Sequence, residues 1–245
     1  MGQVLAVVSG KGGTGKTSLC ACVASRLAEL GQKVLCIDAD VGLRNLDIAL
    51  GMSQEPALPF TAVMSGEYPL SRASVHPKFS SLHFLTAPMT KQPEEREEEA
   101  FFRLLQEAKD TYDFVLVDAP AGVGAGFRLA VKQADLAMVV TGSDPAALRD
   151  GARTAEAMDA ISHAEAKIVV NRIRRNFFKK FRFTVDDCMD TVGLPLLGIV
   201  PEDEAVPFSA AAGKPLTRSG KKSAYEASRH IALRLLGRKA ALLDL

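Results

Sequence analysis

Short apolar runs recur along the chain, and segments with helical spacing of apolar residues separate them. The runs are continuous rather than alternating, which is typical of strands that are buried on both faces of a parallel sheet. Strand–helix alternation favours right-handed crossovers, so we predict a doubly wound α/β fold with a mostly parallel sheet flanked by helices. The predicted strands span residues 4–8, 34–37, 82–85, 114–117, 137–140, 168–170 and 196–200.

The remaining segments fit around this sheet. Residues 52–81 mix prolines and glycines with other residue types, which predicts an irregular surface connection with short helices. The acidic run 94–99 is typical of the first turns of a helix, where negative charge is favourable. We see no linker and no repeat, so we expect one domain over residues 1–245.

A glycine-rich stretch, residues 10–17, joins the first predicted strand to the first predicted helix. Its glycines let the backbone curl so that N–H groups point inward, and the helix N-terminus adds unpaired donors. Lys16 has the reach to bind β- and γ-phosphates, and the Thr17 hydroxyl can bind Mg²⁺. The sequence therefore predicts a P-loop rather than an ordinary glycine-rich turn. The residues expected at the phosphates are Gly10, Lys11, Gly12, Gly13, Thr14, Gly15, Lys16, Thr17 and Ser18.

Carboxylates follow two of the predicted strands. Asp38 and Asp40 come after residues 34–37, and Asp118 follows residues 114–117. Carboxylates beside a phosphate loop would repel a nucleotide unless Mg²⁺ or water lay between them. An apolar strand that ends in Asp after a P-loop is a Walker B pattern, whose Asp holds Mg²⁺ through its water shell. For Asp38 alone, capping of a helix is the competing interpretation.

Taken together, the motifs resemble the MinD/ParA family of ATPases, whose deviant Walker A motif is KGGxGK[ST]. Lys11 stands where that motif has its extra lysine, and residues 38–47, DADVGLRNLD, are similar to switch I of the MinD branch. Residues 119–122, APAG, resemble its switch II. The similarity covers most of the chain, in order.

The resemblance implies a P-loop ATPase that dimerises around ATP. In the family, the lysine at the position of Lys11 reaches the nucleotide of the other subunit; the competing interpretation is a solvated loop lysine. Asp40 would position the attacking water, and Asp38 would support the switch and the metal shell. The family usually has an acidic residue where Gly124 stands, so the relay of the nucleotide state to partners could differ here. The implied catalytic residues are Lys11, Lys16 and Asp40; the metal residues are Thr17, Asp38 and Asp118; the switch residues are Asp38, Asp40, Asn45, Asp118, Pro120 and Gly122.

A base-binding segment is expected at Asn171 and Arg172, after the strand 168–170. A GTPase would show Asn-Lys-x-Asp here, with the Asp bound to the guanine amino group, and the sequence does not supply it. An Asn side chain can pair with adenine through its donor and its acceptor. In the family the Asn recognises adenine and a turn closes over the base, here Pro201, Glu202 and Asp203. An Asn that only caps a strand end is the alternative.

Composition narrows the function classes. The chain has 245 residues, of which 47% are hydrophobic, and a net charge of +1 that argues neither for nor against nucleic acid. No apolar run approaches the roughly 18 residues of a membrane span, and a strand starts at once, so we expect a cytoplasmic protein. The four cysteines lack metal-ligand spacing and are expected to be buried reduced thiols. An iron–sulfur reductase with the same loop would need paired cysteines near switch II, where there are none.

The resemblance implies a Mg²⁺-dependent ATPase that acts as a spatial switch in division-site placement. Its implied partners are a second copy of the chain with ATP, a protein activator and a division inhibitor. One alternative is a DNA-partitioning ATPase of the ParA type, which would need a basic surface in the dimer. Another is a regulator of flagellar number from the same family. Nucleic acid is the less favoured partner.

An anionic membrane surface is a further candidate partner, at the inner face of the cell membrane. Proteins of the MinD branch usually end in a basic amphipathic helix, whereas Gly237 interrupts the last helix here and few basic residues follow it. Residues 172–183 hold six basic residues, four phenylalanines and no acidic residue. Our hypothesis is that this segment compensates by binding anionic lipid. The competing interpretations are phenylalanines packed in the core and basic residues that bind DNA.

Overall fold

The computed structural model describes residues 1–89, 95–174, 177–178, 183–217 and 220–244, with the backbone alone for 95–97. Within these ranges eight strands form one sheet, in the order β3-β4-β2-β5-β1-β6-β7-β8. Every described pair of neighbours is parallel except β3–β4, which confirms the predicted doubly wound, mostly parallel α/β fold. The strands are β1 (Gln3–Val8), β2 (Val34–Asp38), β3 (Ser74–Val75), β4 (Leu82–Leu85), β5 (Phe114–Asp118), β6 (Leu136–Thr141), β7 (Glu165–Ile173) and β8 (Leu196–Pro201).

Helices connect the strands, and local chemistry fixes several of their ends. The Asp144 side chain accepts a hydrogen bond from the backbone of Ala147 and Pro145 follows it, so a helix begins there. Thr184 and Asp187 form a reciprocal capping box at the start of another. The helices are α1 (Lys16–Glu29), α2 (Leu46–Leu50), α3 (Phe60–Met64), α4 (Glu95–Thr111), α5 (Ala125–Val131), α6 (Pro145–Asp159), α7 (Val185–Val192), α8 (Ala205–Ala211) and α9 (Ala224–Leu235).

The core has a layer on each face of the sheet. In β1, Leu5 and Val7 pack into a cluster with α1, α2 and α9, whereas Ala6 and Val8 pack into a cluster with α3, α4 and α5. A third, smaller cluster joins β7 to α6 and α7. Because both faces are covered, each strand is apolar at successive positions, which explains the continuous runs in the sequence. All four cysteines are free and buried, as predicted.

The parallel strands place the predicted site residues at one edge of the sheet. The glycine-rich loop follows β1, and Asp38 and Asp118 end the adjacent strands β2 and β5, where they are paired in register. Asn171 differs from the prediction in one respect, because β7 continues past it to Ile173. The β7–β8 register shifts between Val170 and Ile173, so a strand with a local irregularity carries Asn171.

The connection over residues 52–81 is better packed than the sequence predicts. It contains α3, a 3₁₀ turn (Leu70–Arg72) and the short antiparallel strand β3. Phe60 and Leu70 are buried in the cluster under α4. Two residues are too few to show a periodicity, which is why β3 escaped prediction. Helix α4 begins at Glu95, so residues 95–99 of the acidic run form its first turns as expected, while Glu94 lies outside the described residues.

The last helix ends near Gly237, as predicted. Helix α9 stops at Leu235, and Gly237 has a φ of 70° that favours glycine. The chain then turns back, because Arg234 Nη2 donates to the carbonyl of Ala240 at 2.8 Å and Leu243 packs against the core. Across the described ranges, every helix is too short or too polar to span a membrane.

The basic aromatic segment 172–183 is described only at 172–174, 177–178 and 183. There, Phe177, Phe178 and Phe183 are half-buried and pack against the cluster of β7, α6 and α7. Phe181 and the basic residues at 175, 179, 180 and 182 lie outside the described residues. The described phenylalanines therefore favour the core interpretation over insertion into lipid.

Candidate functional site

The phosphate loop has the backbone that its glycines predict. Gly13 and Gly15 have φ values of 84° and 82°, a region that residues with a Cβ rarely adopt. A Cβ on Gly15 would lie 2.5 Å from Nδ2 of Asn171, so the close approach also requires glycine. Within the described residues, no side chain caps the start of α1, and its first turn holds no acidic residue. The end of α1 that meets the loop is thus suited to an anion.

Lys16 and Asp118 form a buried ion pair in the loop. The Lys16 Nζ lies 2.6 Å from Asp118 Oδ1, and the two side chains are 6% and 1% exposed. Burial raises the pKa of Asp118, while the charge of Lys16 opposes that shift. Asp118 Oδ2 is buried and has no hydrogen-bond partner among the described residues. An unpaired buried acceptor costs about 1–3 kcal/mol, so this atom is poised to accept a ligand.

The residues present fit a magnesium ion that arrives with a nucleotide. The Thr17 hydroxyl lies 3.4 Å from Nζ of Lys16 and lowers the pKa of the Asp118 carboxyl. In the described part of the chain, no group of three or more His, Cys, Asp or Glu side chains is arranged to hold a metal. Mg²⁺ commonly keeps several waters and binds through one or two carboxylates together with substrate phosphates. The orphaned Oδ2 of Asp118 matches that mode of binding.

Asp38 anchors both ends of the loop between β2 and α2, whose sequence resembles switch I. Its Oδ1 accepts a hydrogen bond from the backbone N of Asp40 at 2.9 Å, and its Oδ2 accepts one from the N of Leu46 at 3.1 Å. Burial, and then the charge of Asp118, raises the pKa of Asp38 to about 7. The bond to Leu46 is a helix-cap interaction, since α2 begins there, and the bond to Asp40 fixes the backbone just after β2. Asn45 is exposed just before α2.

Asp40, the predicted water-positioning residue, is partly buried at the same edge. Burial raises the pKa of Asp40, and the charge of Lys16 lowers it. The carboxyl of Asp40 therefore lies within electrostatic range of Lys16. Asp40 is also close enough to Asp118 for its charge to raise the pKa of that carboxyl. Lys16 and Asp118 thus lie in contact beside the phosphate loop, with Asp40 within electrostatic range of both.

Lys11 lies on the outer rim of the loop. Its Nζ is 3.6 Å from Oδ2 of Asp150 in α6, and the side chains are 44% and 31% exposed. An ion pair this exposed contributes about 0–1 kcal/mol, so Lys11 can leave it at little cost. Sequence reasoning missed Asp150, because only the fold brings α6 beside the loop. A Cβ on Gly10 would lie 2.6 Å from the carbonyl of Asp150, which shows how tightly α6 packs there.

A cavity of about 600 Å³ lies beside the loop, at the place predicted for a base. Leu19 and Cys22 of α1 and Val206 of α8 give it apolar walls, and Asn171 and Pro201 lie at its edge. The amide Nδ2 of Asn171 donates to the carbonyl of Thr14 at 2.8 Å. Nothing in the sequence separated Leu19 and Cys22 from ordinary core positions of α1, because their spacing is that of a buried helix face.

The turn after β8 closes one side of this cavity. The two carboxylate oxygens of Asp203 accept hydrogen bonds from the backbone N of Ala205 and of Ala224, each at 2.9 Å. Asp203 therefore holds the starts of α8 and α9 at the rim. The carboxylate of Glu202 instead binds Arg172 and Arg174. The contact of Arg174 with Glu202 is a tertiary one that the sequence does not predict.

The turn after β5 contains Gly122 and Gly124, in the segment whose sequence resembles switch II. Gly122 has a φ of 86°, and its N–H donates to the carbonyl of Ser9 at 2.9 Å, which ties the turn to the strand before the phosphate loop. Gly124 stands at the start of α5 and offers no side chain to cap it. Pro120 lies between Asp118 and this turn. Val123 is 48% exposed, so the tip of the turn faces solvent.

Comparison with known proteins supports the resemblance to the MinD/ParA family. The family model for the CobQ/CobB/MinD/ParA nucleotide binding domain matches residues 5–216. The septum site-determining protein MinD of Synechocystis sp. is 36% identical over 247 residues, which cover 100% of this chain and 93% of that protein. The sequence resemblance to the family is thereby confirmed.

Comparison with solved structures supports the same family. The MinC:MinD cell division protein complex of Aquifex aeolicus contains a chain that matches with a TM-score of 0.88 and 33% identity, over 99% of both chains. The septum site-determining protein MinD of Pyrococcus horikoshii, complexed with Mg-ADP, matches with a TM-score of 0.79 and 25% identity, over 96% of both chains. Family match, full-length relatives and shared fold together show that the chain belongs to the MinD/ParA family of ATPases.

Proposed function

We propose that residues 1–245 form a single P-loop domain that dimerises around ATP, hydrolyses it with Mg²⁺ and acts as a spatial switch in division-site placement. One observation carries the proposal. The glycine loop, the buried Lys16–Asp118 pair and the switch I anchor at Asp38 meet at one edge of the sheet, with Lys11 at the rim. These contacts support an anion site at the loop, with Asp118 proposed as the metal ligand and Asp40 as the water-positioning carboxylate.

The proposed reaction is in-line attack of water on the γ-phosphoryl group. Lys16 and the loop N–H groups hold the phosphates, and Lys11 of the partner subunit adds positive charge where negative charge develops. Asp40 orients the attacking water. Bound through Thr17 and Asp118, Mg²⁺ would supply charge neutralisation at the phosphate oxygens. Because Lys16 is paired with Asp118 here, we expect Lys16 to move toward the phosphates when a nucleotide binds.

The relatives support the proposed cellular role and one of the proposed partners. The Synechocystis relative is a septum site-determining protein, and the Aquifex structure is a complex of MinD with MinC. We therefore propose a division inhibitor of that kind as a partner, together with a protein that accelerates hydrolysis. We also propose a cytoplasmic protein that binds the inner face of the cell membrane reversibly.

DNA partitioning is the competing role within the family. It would need non-specific binding of the ATP dimer to DNA, which depends on a basic surface. A gel shift with non-specific DNA and co-sedimentation with anionic liposomes, both with ATP, separate the two roles. Binding to liposomes without a gel shift supports division-site placement, and the reverse supports partitioning.

The first prediction concerns the base. We expect ATP to displace a fluorescent ATP analogue at a concentration at least about tenfold lower than GTP does, because one unpaired hydrogen-bonding group costs that much. Asn171 lines the cavity, and the sequence from Asn171 onward is not the Asn-Lys-x-Asp motif whose Asp would bind the guanine amino group.

Inosine triphosphate is the matched control, since it is GTP without the amino group. A site that does not use this group should bind inosine triphosphate no more weakly than GTP. Equal displacement by ATP and GTP would contradict the adenine assignment, and a preference for GTP over inosine triphosphate would point to a guanine site.

A second prediction concerns the basic residues of the segment 172–183. Lys179→Glu/Lys180→Glu should weaken flotation of the ATP-bound protein with anionic liposomes roughly thirtyfold or more, because each basic residue near the surface contributes about 1 kcal/mol. Liposomes of neutral lipid give the background.

Phe177→Ser/Phe178→Ser is the companion variant. Both rings pack against the core, so this change should lower the thermal unfolding midpoint. Folded variants with the charge reversal that float as well as the unaltered chain would remove the segment from the membrane proposal.

A further inference from the structure

Arg172 adopts a backbone conformation that is rare for its residue type. Its φ is 58°, and apart from the glycines only Arg44 shares a positive φ among the described residues. The conformation coincides with the irregular register between β7 and β8, where Ile173 pairs with Pro201. Side chains with a Cβ are disfavoured in this region, and such strain persists where neighbouring contacts hold it in place. The contacts of the Arg172 side chain are therefore informative.

Those contacts join two parts of the cleft. Nη1 of Arg172 donates to the carbonyl of Gly13 at 3.0 Å, and Nη2 donates to Oε1 of Glu202 at 3.1 Å. The other oxygen of Glu202 accepts a hydrogen bond from Nε of Arg174 at 3.2 Å. These bonds, with that of Arg172 foremost, lower the pKa of Glu202, so its carboxylate stays charged near neutral pH. The Glu202–arginine cluster (Arg172, Arg174 and Glu202) thus connects the turn after β8 to the phosphate loop.

The cluster also separates two cavities. One is the base cavity, and the other, of about 620 Å³, lies between the phosphate loop and residues 142–144. The three residues of the cluster and Asn171 line both. The backbone N of Glu202 donates to the carbonyl of Ile173 at 2.9 Å, which fixes the position from which its carboxylate acts. The cluster therefore forms part of the cleft wall, although its side chains are partly exposed, 57% for Arg172 and 39% for Glu202.

Peptide geometry gives the contact with Gly13 a consequence. A peptide group is planar and trans, so the carbonyl of Gly13 and the N–H of Thr14 point in opposite directions. When Arg172 holds the carbonyl on its own side, the N–H of Thr14 is directed away from Arg172. Asn171 does the same for the next peptide by binding the carbonyl of Thr14. Glycine is conformationally permissive, so Gly13 alone does not fix this orientation, and Arg172 and Asn171 supply contacts that restrict it.

We propose that Glu202 is a positioning residue for phosphate binding. By holding the guanidinium of Arg172 against the carbonyl of Gly13, it orients the peptide of the phosphate loop before the phosphates arrive. Glu202 lies on the base side of the cleft, yet its effect reaches the phosphates. The inference rests on the proposed nucleotide site and adds the means by which that site is preorganised.

Whether Glu202→Gln weakens or tightens the binding of phosphates distinguishes a positioning role from a simple effect of charge. Glu202→Gln removes a negative charge near an anion site, so Coulomb's law alone predicts tighter binding of a polyanion. Loss of positioning predicts weaker binding, by about fivefold for a pair as exposed as this one. A role confined to the base predicts no change for a ligand without a base.

The test is competition of inorganic tripolyphosphate, and separately of ATP, against a fluorescent ATP analogue. We expect Glu202→Gln to weaken both ligands about fivefold. Arg172→Gln should weaken both as well, and the double variant should lose little more than Arg172→Gln alone, because the residues act as one unit. Arg172→Lys should not restore binding, since an ammonium group lacks the fork that reaches two acceptors. Arg103→Gln, an exposed change on α4, is the charge-matched control for Arg172→Gln.

The outcomes distinguish failure of the positioning role of Glu202 from failure of the proposed nucleotide site. Unchanged or tighter binding of tripolyphosphate by folded Glu202→Gln, or additive losses in the double variant, would overturn the positioning role. Failure of the unaltered chain to bind either ligand would instead overturn the nucleotide site. Thermal unfolding of each variant shows that it is folded.

Discussion

Lys11→Ala is expected to abolish ATP-dependent dimerisation and to lower turnover about a hundredfold or more, while ATP affinity changes by less than about threefold. Lys16 and the loop backbone remain to bind the nucleotide, and the Lys11 side chain leaves only an exposed contact with Asp150. The proposed role of Lys11 requires the dimer, in which its side chain would contact the nucleotide of the other subunit. Light scattering with ATP, phosphate release and nucleotide titration measure the three quantities.

Lys132→Ala is a well-matched control for this variant. Lys132 has 48% of its side chain exposed and forms an ion pair with Glu98 at 2.8 Å, so it resembles Lys11 in exposure and in pairing. It lies at the end of α5 rather than in the phosphate loop. If Lys11→Ala dimerises and hydrolyses ATP as Lys132→Ala does, Lys11 is only a solvated loop lysine.

Asp40→Ala is expected to have the opposite effect on assembly. Removing the carboxylate that orients water should lower hydrolysis by about a hundred- to a thousandfold, because proton transfer and water positioning contribute that much. ATP binding and dimerisation should persist, since the ion pair of Lys16 and Asp118 and the anchor at Asp38 are untouched. The variant should therefore accumulate as an ATP-bound dimer, which light scattering and single-turnover phosphate release detect together.

Two companion variants show which property of the Asp40 side chain hydrolysis requires. Asp40→Asn keeps the size of the side chain but not its charge, so it tests the carboxylate itself. Asp190→Ala removes an exposed carboxylate from α7 and should hydrolyse ATP normally. Turnover by Asp40→Ala at the normal rate would exclude Asp40 as the water-positioning residue.

The sheet and the phosphate loop could be predicted because their signals are local. A run such as 114–117 is apolar at every position, since both faces of its strand are covered, and the loop needs glycines at fixed places. The carboxyl edge follows from topology, which brings Asp38 and Asp118 into register. These features need no knowledge of long-range packing.

The contacts that complete the cleft could not be predicted in the same way. The pair of Lys11 with Asp150 joins residues far apart in sequence, and no pattern in α6 announces it. The bond of Arg172 to Gly13 depends on a positive φ that arginine rarely adopts. Glu202 lines the base cavity, and its carboxylate also binds two arginines, contacts of which the sequence gives no sign. In each case the deciding interaction is tertiary, and local propensity gives no signal of it.

One measurement tests the central claim most directly: the mass of the unaltered chain in solution by light scattering, with Mg-ATP and with Mg-ADP. We predict a dimer with ATP, at short times before hydrolysis is complete, and a monomer with ADP. The return to monomer should keep pace with phosphate release. A mass that is the same with both nucleotides would contradict a switch that dimerises around ATP.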